Sequence, residues 1–268
     1  MSAASRIAFS TLAFPDATLA SAASLGRRWG YAGIELRLID GEFIDPSMPA
    51  ADRVRVKRTL TGLPVVAVDS SIRLTGDDPG PELHRFLRLA SDWESPLVRV
   101  FGGALAADGP ARREQLGNAA RVLEAAGPLA ERLGVAIGVE THDAFSASAV
   151  LAELLSLADP RWVGAVWDSH HPHRMGERPE EVYANLGPRL KLAQVKDARR
   201  TASGDWQLVL LGGGEVPVAD MLALLAAGGY QHWISVEWEK RWHPEIEEPQ
   251  VALPQHLELL TKWLEGPQ

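Results

Sequence analysis

The sequence predicts an α/β chain folded as a (β/α)₈ TIM barrel, a single domain over residues 1–268. Three observations carry that prediction. Eight short runs rich in apolar and β-branched residues recur along the chain. Segments with helical periodicity separate them. Successive runs start about 25 to 45 residues apart, the length of one strand–helix unit with its loops. Such alternation, repeated eight times, is the pattern of a closed barrel.

The runs are Ile7–Ser10, Gly33–Arg37, Pro64–Ser70, Leu97–Phe101, Val135–Glu140, Val163–Asp168, Leu190–Lys196 and Trp233–Trp238. They read as continuously apolar, as parallel strands buried on both faces do. Between them, Ala17 to Trp29 is rich in Ala and Leu, with Arg27 and Arg28 near its end. Glu114 to Leu133 sets Leu116, Ala120, Leu123, Ala126, Leu129 and Leu133 on one stripe. Val218 to Ala227 and Pro254 to Leu264 behave similarly. Gly30, Gly134 and Gly228 fall just past helix ends, where a C-cap glycine belongs. The first run is followed by Thr11-Leu12-Ala13-Phe14-Pro15, with no glycine, so the dinucleotide fingerprint of an open doubly wound sheet is absent. Two long connections, Asp197–Val216 and Glu239–Pro249, are candidate lids or substrate walls.

Composition removes several function classes. A net charge of −8 with no long basic stretch argues against a nucleic-acid partner, because phosphate-backbone affinity comes mainly from Lys and Arg. The absence of cysteine excludes disulfides, thiolate chemistry and Cys-ligated zinc or iron–sulfur centres. No apolar run approaches a membrane span, and Met1 to Arg6 carries no leader pattern, so a cytoplasmic protein with no membrane partner is expected.

Polar residues collect at the ends of the runs. A barrel brings those ends onto one rim. Glu140, Asp168, Gln194 and Glu237 follow four successive runs, and each is the first acceptor-bearing side chain after its run. Clustered carboxylates repel one another and raise their own pKa values, and a divalent cation removes the conflict. Any one of these residues, taken alone, reads equally as a solvated loop residue or a helix cap. Four on neighbouring strands point to one divalent metal ion. The all-oxygen donor set favours Mn²⁺ or Mg²⁺ over Zn²⁺. Among His170, His171 and His173, consecutive side chains cannot all face one ion, so one or two are expected to matter.

Gly33-Ile-Glu-Leu-Arg37, Glu140-Thr-His142, Trp167-Asp-Ser-His-His171, Gln194-Val-Lys-Asp197 and Ser235-Val-Glu237, in this order, resemble the xylose-isomerase-like TIM-barrel superfamily. This is the group of sugar (phosphate) isomerases and epimerases that is related to the endonuclease-four-type AP endonucleases. The resemblance implies that Glu140 and Glu237 bind the metal and act as the acid–base pair. It implies Asp168 as a ligand and His171 as a contact to substrate or metal. The remaining ligand position, commonly a His, is Gln194 here, a residue known there in the hydroxypyruvate-isomerase branch. That departure and the acidic charge count against the three-zinc DNA-repair branch. Arg199 or Arg200 falls where the epimerases place an arginine near substrate. Homo-oligomers are common in the group.

The chemistry expected is removal of a proton from a carbon beside a carbonyl, with the metal stabilising the enediolate and two carboxylates moving the proton. The small-molecule partner is then a sugar or polyol ketone. Arg37, Arg99, Lys196 and Arg199 are cationic candidates for a phosphate or carboxylate on it, and His142 is a further candidate contact. Trp167, Trp206, Trp238 and Trp242 are candidate aromatic faces for sugar C–H surfaces. Gly212-Gly213-Gly214 reads as a flexible turn more than as a phosphate cradle. A lyase of the inosose- or dehydroshikimate-dehydratase type begins with the same proton abstraction and is the main alternative. A non-catalytic polyol-binding accessory barrel is another.

Overall fold

The computed structural model describes residues 6–265. Eight parallel strands close into a barrel in sequence order. They are β1 (Ile7–Ser10), β2 (Gly33–Leu36), β3 (Val65–Arg73), β4 (Leu97–Phe101), β5 (Ala136–Glu140), β6 (Val163–Asp168), β7 (Leu190–Val195) and β8 (Trp233–Val236). A helix follows each: α1 (Leu19–Trp29), α2 (Ala50–Thr59), α3 (Gly80–Asp92), α4 (Gly109–Leu133), α5 (Ser148–Leu155), α6 (Pro179–Leu186), α7 (Val218–Ala227) and α8 (Pro249–Glu265). The predicted barrel is therefore the observed one, and each predicted run contains its strand to within three residues at either end. Among the described residues no helix is long and apolar enough to cross a membrane.

Helix ends follow local chemistry. Thr18 accepts a hydrogen bond from the Ser21 amide and starts α1, and Gly30 ends it at φ 97°. Gly134 closes α4 in the same left-handed conformation. Gly228 departs from the expectation. It follows α7 at φ −82°, and the left-handed residue is Gly229. The long connection after β7 also differs from an open loop, because Asp197–Arg200 pairs antiparallel with Trp206–Val209. A second hairpin, Leu38–Ile39 with Glu42–Phe43, follows β2.

Alternation along the strands separates two cores. Ile34, Leu36, Val98, Val100, Ile137, Val139, Val195 and Val236 join the large cluster between strands and helices. Ala8, Ala67, Leu97, Val166 and Leu192 form a small separate cluster that fills the barrel interior. One step further along the strands, the inward positions become Glu35, Asp69, Arg99, Glu140, Asp168 and Gln194. The apolar floor therefore carries a polar layer at the C-terminal ends of the strands, where barrel active sites lie.

His256 on α8 lies under the Trp238 indole with ring centroids 5.1 Å apart. It is fully buried, and burial lowers its pKa to about 4 from 6.5. The unfolded chain takes up a proton more readily, so this contribution is intact above pH 6.5 and is lost as pH falls toward 4. We expect His256→Leu to remove about 2 kcal/mol of the stability difference between pH 7.5 and pH 5. Urea melts at the two pH values measure this. An unchanged acid slope in the variant would contradict it.

Candidate active site

The polar layer opens into a cavity of about 470 Å³ at the strand-exit face, within the range of small-molecule sites. Arg37, Arg99, Glu140, His171, Glu237 and Trp242 are among the residues lining it. Glu140 ends β5 and is 1% exposed, Asp168 ends β6 at 0%, and Glu237, one residue past β8, is 3% exposed. One carboxylate oxygen from each lies within 4.8 Å of the other two. Asp168 is aligned in register with Gln194, and Gln194 with Ser235, so β6, β7 and β8 deliver their polar residues at one level.

Cations already hold this cluster together. The Lys196 ammonium lies 2.8 Å from Asp168 Oδ2 and 2.7 Å from Glu237 Oε2, and it also contacts Glu239. The Arg99 guanidinium lies 3.0 Å from Glu140 Oε2 and 3.3 Å from Asp69 Oδ2, and donates to the Ser70 carbonyl at 2.8 Å. Asp168 Oδ1 accepts from the amides of His170 and His171 at 2.8 and 3.1 Å. Burial raises the Asp168 pKa, but Lys196 and then His171 oppose it, and the carboxyl ends below its usual range. Burial drives Glu140 the other way, up to about 8, against the pull of Arg99. Glu237 is also pushed well up by burial, which Lys196 only partly offsets. Neighbouring carboxyls thus differ in proton affinity, an arrangement suited to passing protons.

The donor set fits a divalent ion. If all were ionised, Glu35, Asp69, Glu140, Asp168, Glu237 and Glu239 would outnumber the cations Arg37, Arg99 and Lys196 around them, and this conflict, which a divalent ion would relieve, helps raise the proton affinity of Glu140 and Glu237. Gln194 Nε2 donates to Glu35 Oε1 at 2.8 Å and reaches Glu237 Oε1 at 3.4 Å. These two acceptors fix the amide's orientation. Its Oε1 is buried with no partner, an oxygen available to a cation. Glu140, His142 and His171 form a second, overlapping cluster that the sequence did not single out as a ligand group. Both ring nitrogens of His171 are buried and unpartnered, and its Nε2 lies 4.0 Å from Glu140 Oε1.

Three expected substrate contacts lie elsewhere, Lys196 among them, since it is 1% exposed and held by its three carboxylates. Arg199 is exposed on the hairpin opposite Gln207, away from the cavity lining, because strand alternation turns it outward beside inward Ala198. Trp238 is fully buried, donates from Nε1 to the Glu247 carbonyl at 2.8 Å and packs on His256, so its ring faces core. Trp167 is also buried, and Trp206 sits against His170 and His173. Of the four tryptophans only Trp242 lines the cavity, stacked on Phe43 with centroids 5.5 Å apart. Arg37, His142 and His171 do line it. Glu35, Asp69 and Glu239 belong to the site and were not singled out. The available signal was a charge at an inward strand position, one or more alternations from another polar residue.

Asp197 has a structural use. Its carboxylate accepts from the amides of Ala198, Gly212, Gly214 and Val216 at 2.8, 2.9, 2.9 and 3.1 Å. The amides of Gly212 and Gly214 are thereby occupied, so the triplet is a turn tied to β7. Removing the acceptor leaves the buried amides of Ala198 and Val216 unpaired, each costing on the order of 1–3 kcal/mol, and loosens the part-buried Gly212 and Gly214. Asp197→Ala is therefore expected to lose roughly 3 kcal/mol or more, read by denaturant unfolding. A loss below about 1 kcal/mol would show that water replaces the carboxylate.

The family described as xylose isomerase-like TIM barrel matches residues 23–263. No curated protein matches the chain in sequence. Among solved structures, the probable 3-DHS dehydratase AsbF from Bacillus anthracis superposes with a TM-score of 0.76 at 18% identity, covering 96% of this chain and 99% of that one. The IOLI protein with a bound zinc atom gives 0.79 at 16% identity, covering 96% and 97%. D-psicose 3-epimerase from Clostridium cellulolyticum H10, with D-tagatose, gives 0.77 at 12% identity, covering 97% and 99%. Likeness at this level of identity establishes the fold.

Proposed function

The chain belongs to the xylose isomerase-like TIM-barrel family, and on that premise we propose that it is a divalent-metal-dependent isomerase or epimerase of a sugar or polyol ketone. The observation that supports this reading most is the pairing of Glu140 and Glu237. They come from strands separated by two others, both line the cavity, and their carboxylate oxygens lie within 4.8 Å of one another and of Asp168. Epimerases and dehydratases among the structural neighbours are consistent with it.

Glu140, Asp168, Gln194 and Glu237 would hold the ion. When bound, a divalent ion polarises a ketone and so acidifies the adjacent C–H. Glu140 and Glu237 remove and return the proton at that carbon. Their raised proton affinity, caused by burial, suits groups that must hold a proton part of the time. Lys196 and Arg99 keep each carboxylate oriented from behind. His171, unpartnered beside Glu140, is placed to bind a substrate hydroxyl. Phe43 and Trp242 cover the mouth and limit water.

The test is a panel of ketoses and inososes in D₂O with Mn²⁺ or Mg²⁺, followed by proton NMR. Deuterium should enter the carbon next to the carbonyl of at least one member. An ultraviolet-absorbing unsaturated product would instead identify the lyase branch. Binding without exchange by any member would favour a polyol-binding barrel.

A further inference from the structure

The cavity is electrically two-sided. Arg37, Arg73 and Arg99 reach it from the exits of β2, β3 and β4, whereas Glu140, Glu237 and Glu239 face it from β5 and from beyond β8. The cations differ in what already neutralises them. Arg99 is held by Asp69 and Glu140, Arg73 pairs with Asp143 at 3.5 Å, and Lys196 is held by its three carboxylates. Arg37 has no such partner. Its Nη2 donates to Ser71 Oγ at 3.0 Å and its Nη1 reaches the Asp69 carbonyl at 3.4 Å, both uncharged acceptors. Among the described residues no carboxylate lies within ion-pairing distance of it.

Arg37 is nonetheless 7% exposed. One face of its guanidinium is stacked on Phe43, 4.4 Å from the ring centroid, which fixes its plane. A buried, oriented guanidinium with no carboxylate in contact is costly unless an anion completes it, and the more distant Asp69, Glu140 and Glu237 offset only part of that cost. Burial, and next the repulsion of Arg99, lower its pKa to about 10, and it stays charged at neutral pH.

We infer that the substrate of this barrel carries a carboxylate, received by Arg37 on the basic side of the cavity while its reacting carbons lie against Glu140 and Glu237. This rests on the proposed proton-abstraction reading and narrows it to acidic sugars or acidic polyol ketones. A planar guanidinium fork matches a carboxylate through two parallel hydrogen bonds. A phosphate dianion normally draws on a nest of backbone amides, and the glycine turn that would supply one has its Gly212 and Gly214 amides tied to Asp197. Arg174, exposed at the cavity rim and free of ion pairs among the described residues, adds positive field at the entrance.

The experiment is calorimetric titration of the protein as purified with matched probes. These are D-glycerate, D-gluconate and quinate, their neutral counterparts glycerol, sorbitol and myo-inositol, and glycerol 3-phosphate with sorbitol 6-phosphate. At least one acid should bind about ten-fold or more tightly than its neutral counterpart, since a charge-assisted pair is worth that much. Arg37→Met should abolish the preference, and Arg37→Lys should restore only part of it. Treatment of the parent with EDTA should keep it. No acid outbinding its neutral counterpart, silence across the panel included, overturns the inference. So does tighter binding of the phosphates, or a preference lost with EDTA but kept in Arg37→Met, which would place the acid on a metal. If Arg37→Met does not fold, the parent's own discrimination between acid and neutral probes, with the phosphates alongside, decides. None of these probes carries a ketone, so the result is independent of whether α-hydrogen exchange occurs.

Discussion

Glu237→Gln is expected to slow α-hydrogen exchange by roughly 10²- to 10⁴-fold, the usual contribution of a positioned acid–base group. The substitution keeps side-chain size and removes the group that takes the proton. It also has a defined structural cost. Glu237 receives Lys196 Nζ on Oε2 and is approached by Gln194 Nε2 on Oε1, whereas an amide offers one oxygen for two donors. A stability loss of about 1–2 kcal/mol should therefore accompany the kinetic loss without unfolding the barrel. Exchange by NMR, beside circular dichroism and metal content, separates these effects. Full exchange in a folded, metal-loaded variant would remove Glu237 from the chemistry.

The second large effect concerns Lys196. Its ammonium sits in contact with Asp168, Glu237 and Glu239 and is 1% exposed. Burial lowers its pKa, and the surrounding carboxylates more than reverse that, so the group is a permanent cation. Lys196→Met keeps the stem volume and deletes the charge. Breaking a buried ion cluster by removing one member costs on the order of 3–5 kcal/mol, because the remaining charges are left uncompensated. Mn²⁺ at millimolar concentration should return much of that loss in the variant and far less in the parent, since a divalent ion supplies the missing positive charge. Denaturant melts with and without the ion measure both. Parent-like stability of Lys196→Met in the absence of metal would show that the carboxylates are already neutralised by protons.

The barrel was readable because two-sided burial leaves a strong trace, eight β-branched runs at regular spacing. The finer pattern was present in the same letters but masked. Treated as uniformly apolar, the runs hide a period of two that separates Val98 and Val100, which face helices, from Leu97 and Arg99, which face the interior. Following that parity along β2, β3 and β7 leads directly to Glu35 and Arg37, to Asp69, and to Gln194 and Lys196. The strand-end rule found Glu140, Asp168, Gln194 and Glu237 because each is the first carboxyl or amide side chain its run reaches. Arg199, expected from the resemblance, and Trp238, expected as an aromatic face, point away from the cavity for a different reason. Both lie beyond a strand, where a hairpin and a loop set the direction of each side chain, and those connections are specified by long-range packing that spacing does not encode. Which cations are already paired was equally invisible, since Arg37 and Arg99 differ only in their neighbours across the barrel.

The stack of Phe43 on Trp242 joins the hairpin after β2 to the loop after β8. Those strands flank β1, whose own exit is only a short turn, Thr11–Ala13. The two rings therefore bridge over β1 and wall one side of the cavity, while the exposed Arg73 and Arg174 stand on the side away from them. A substrate larger than the cavity must project its remainder through that side. An extended molecule would thus enter end-on with its direction predetermined, and fluorophores or affinity tags intended to leave turnover intact belong on the end that points toward β3 and β6.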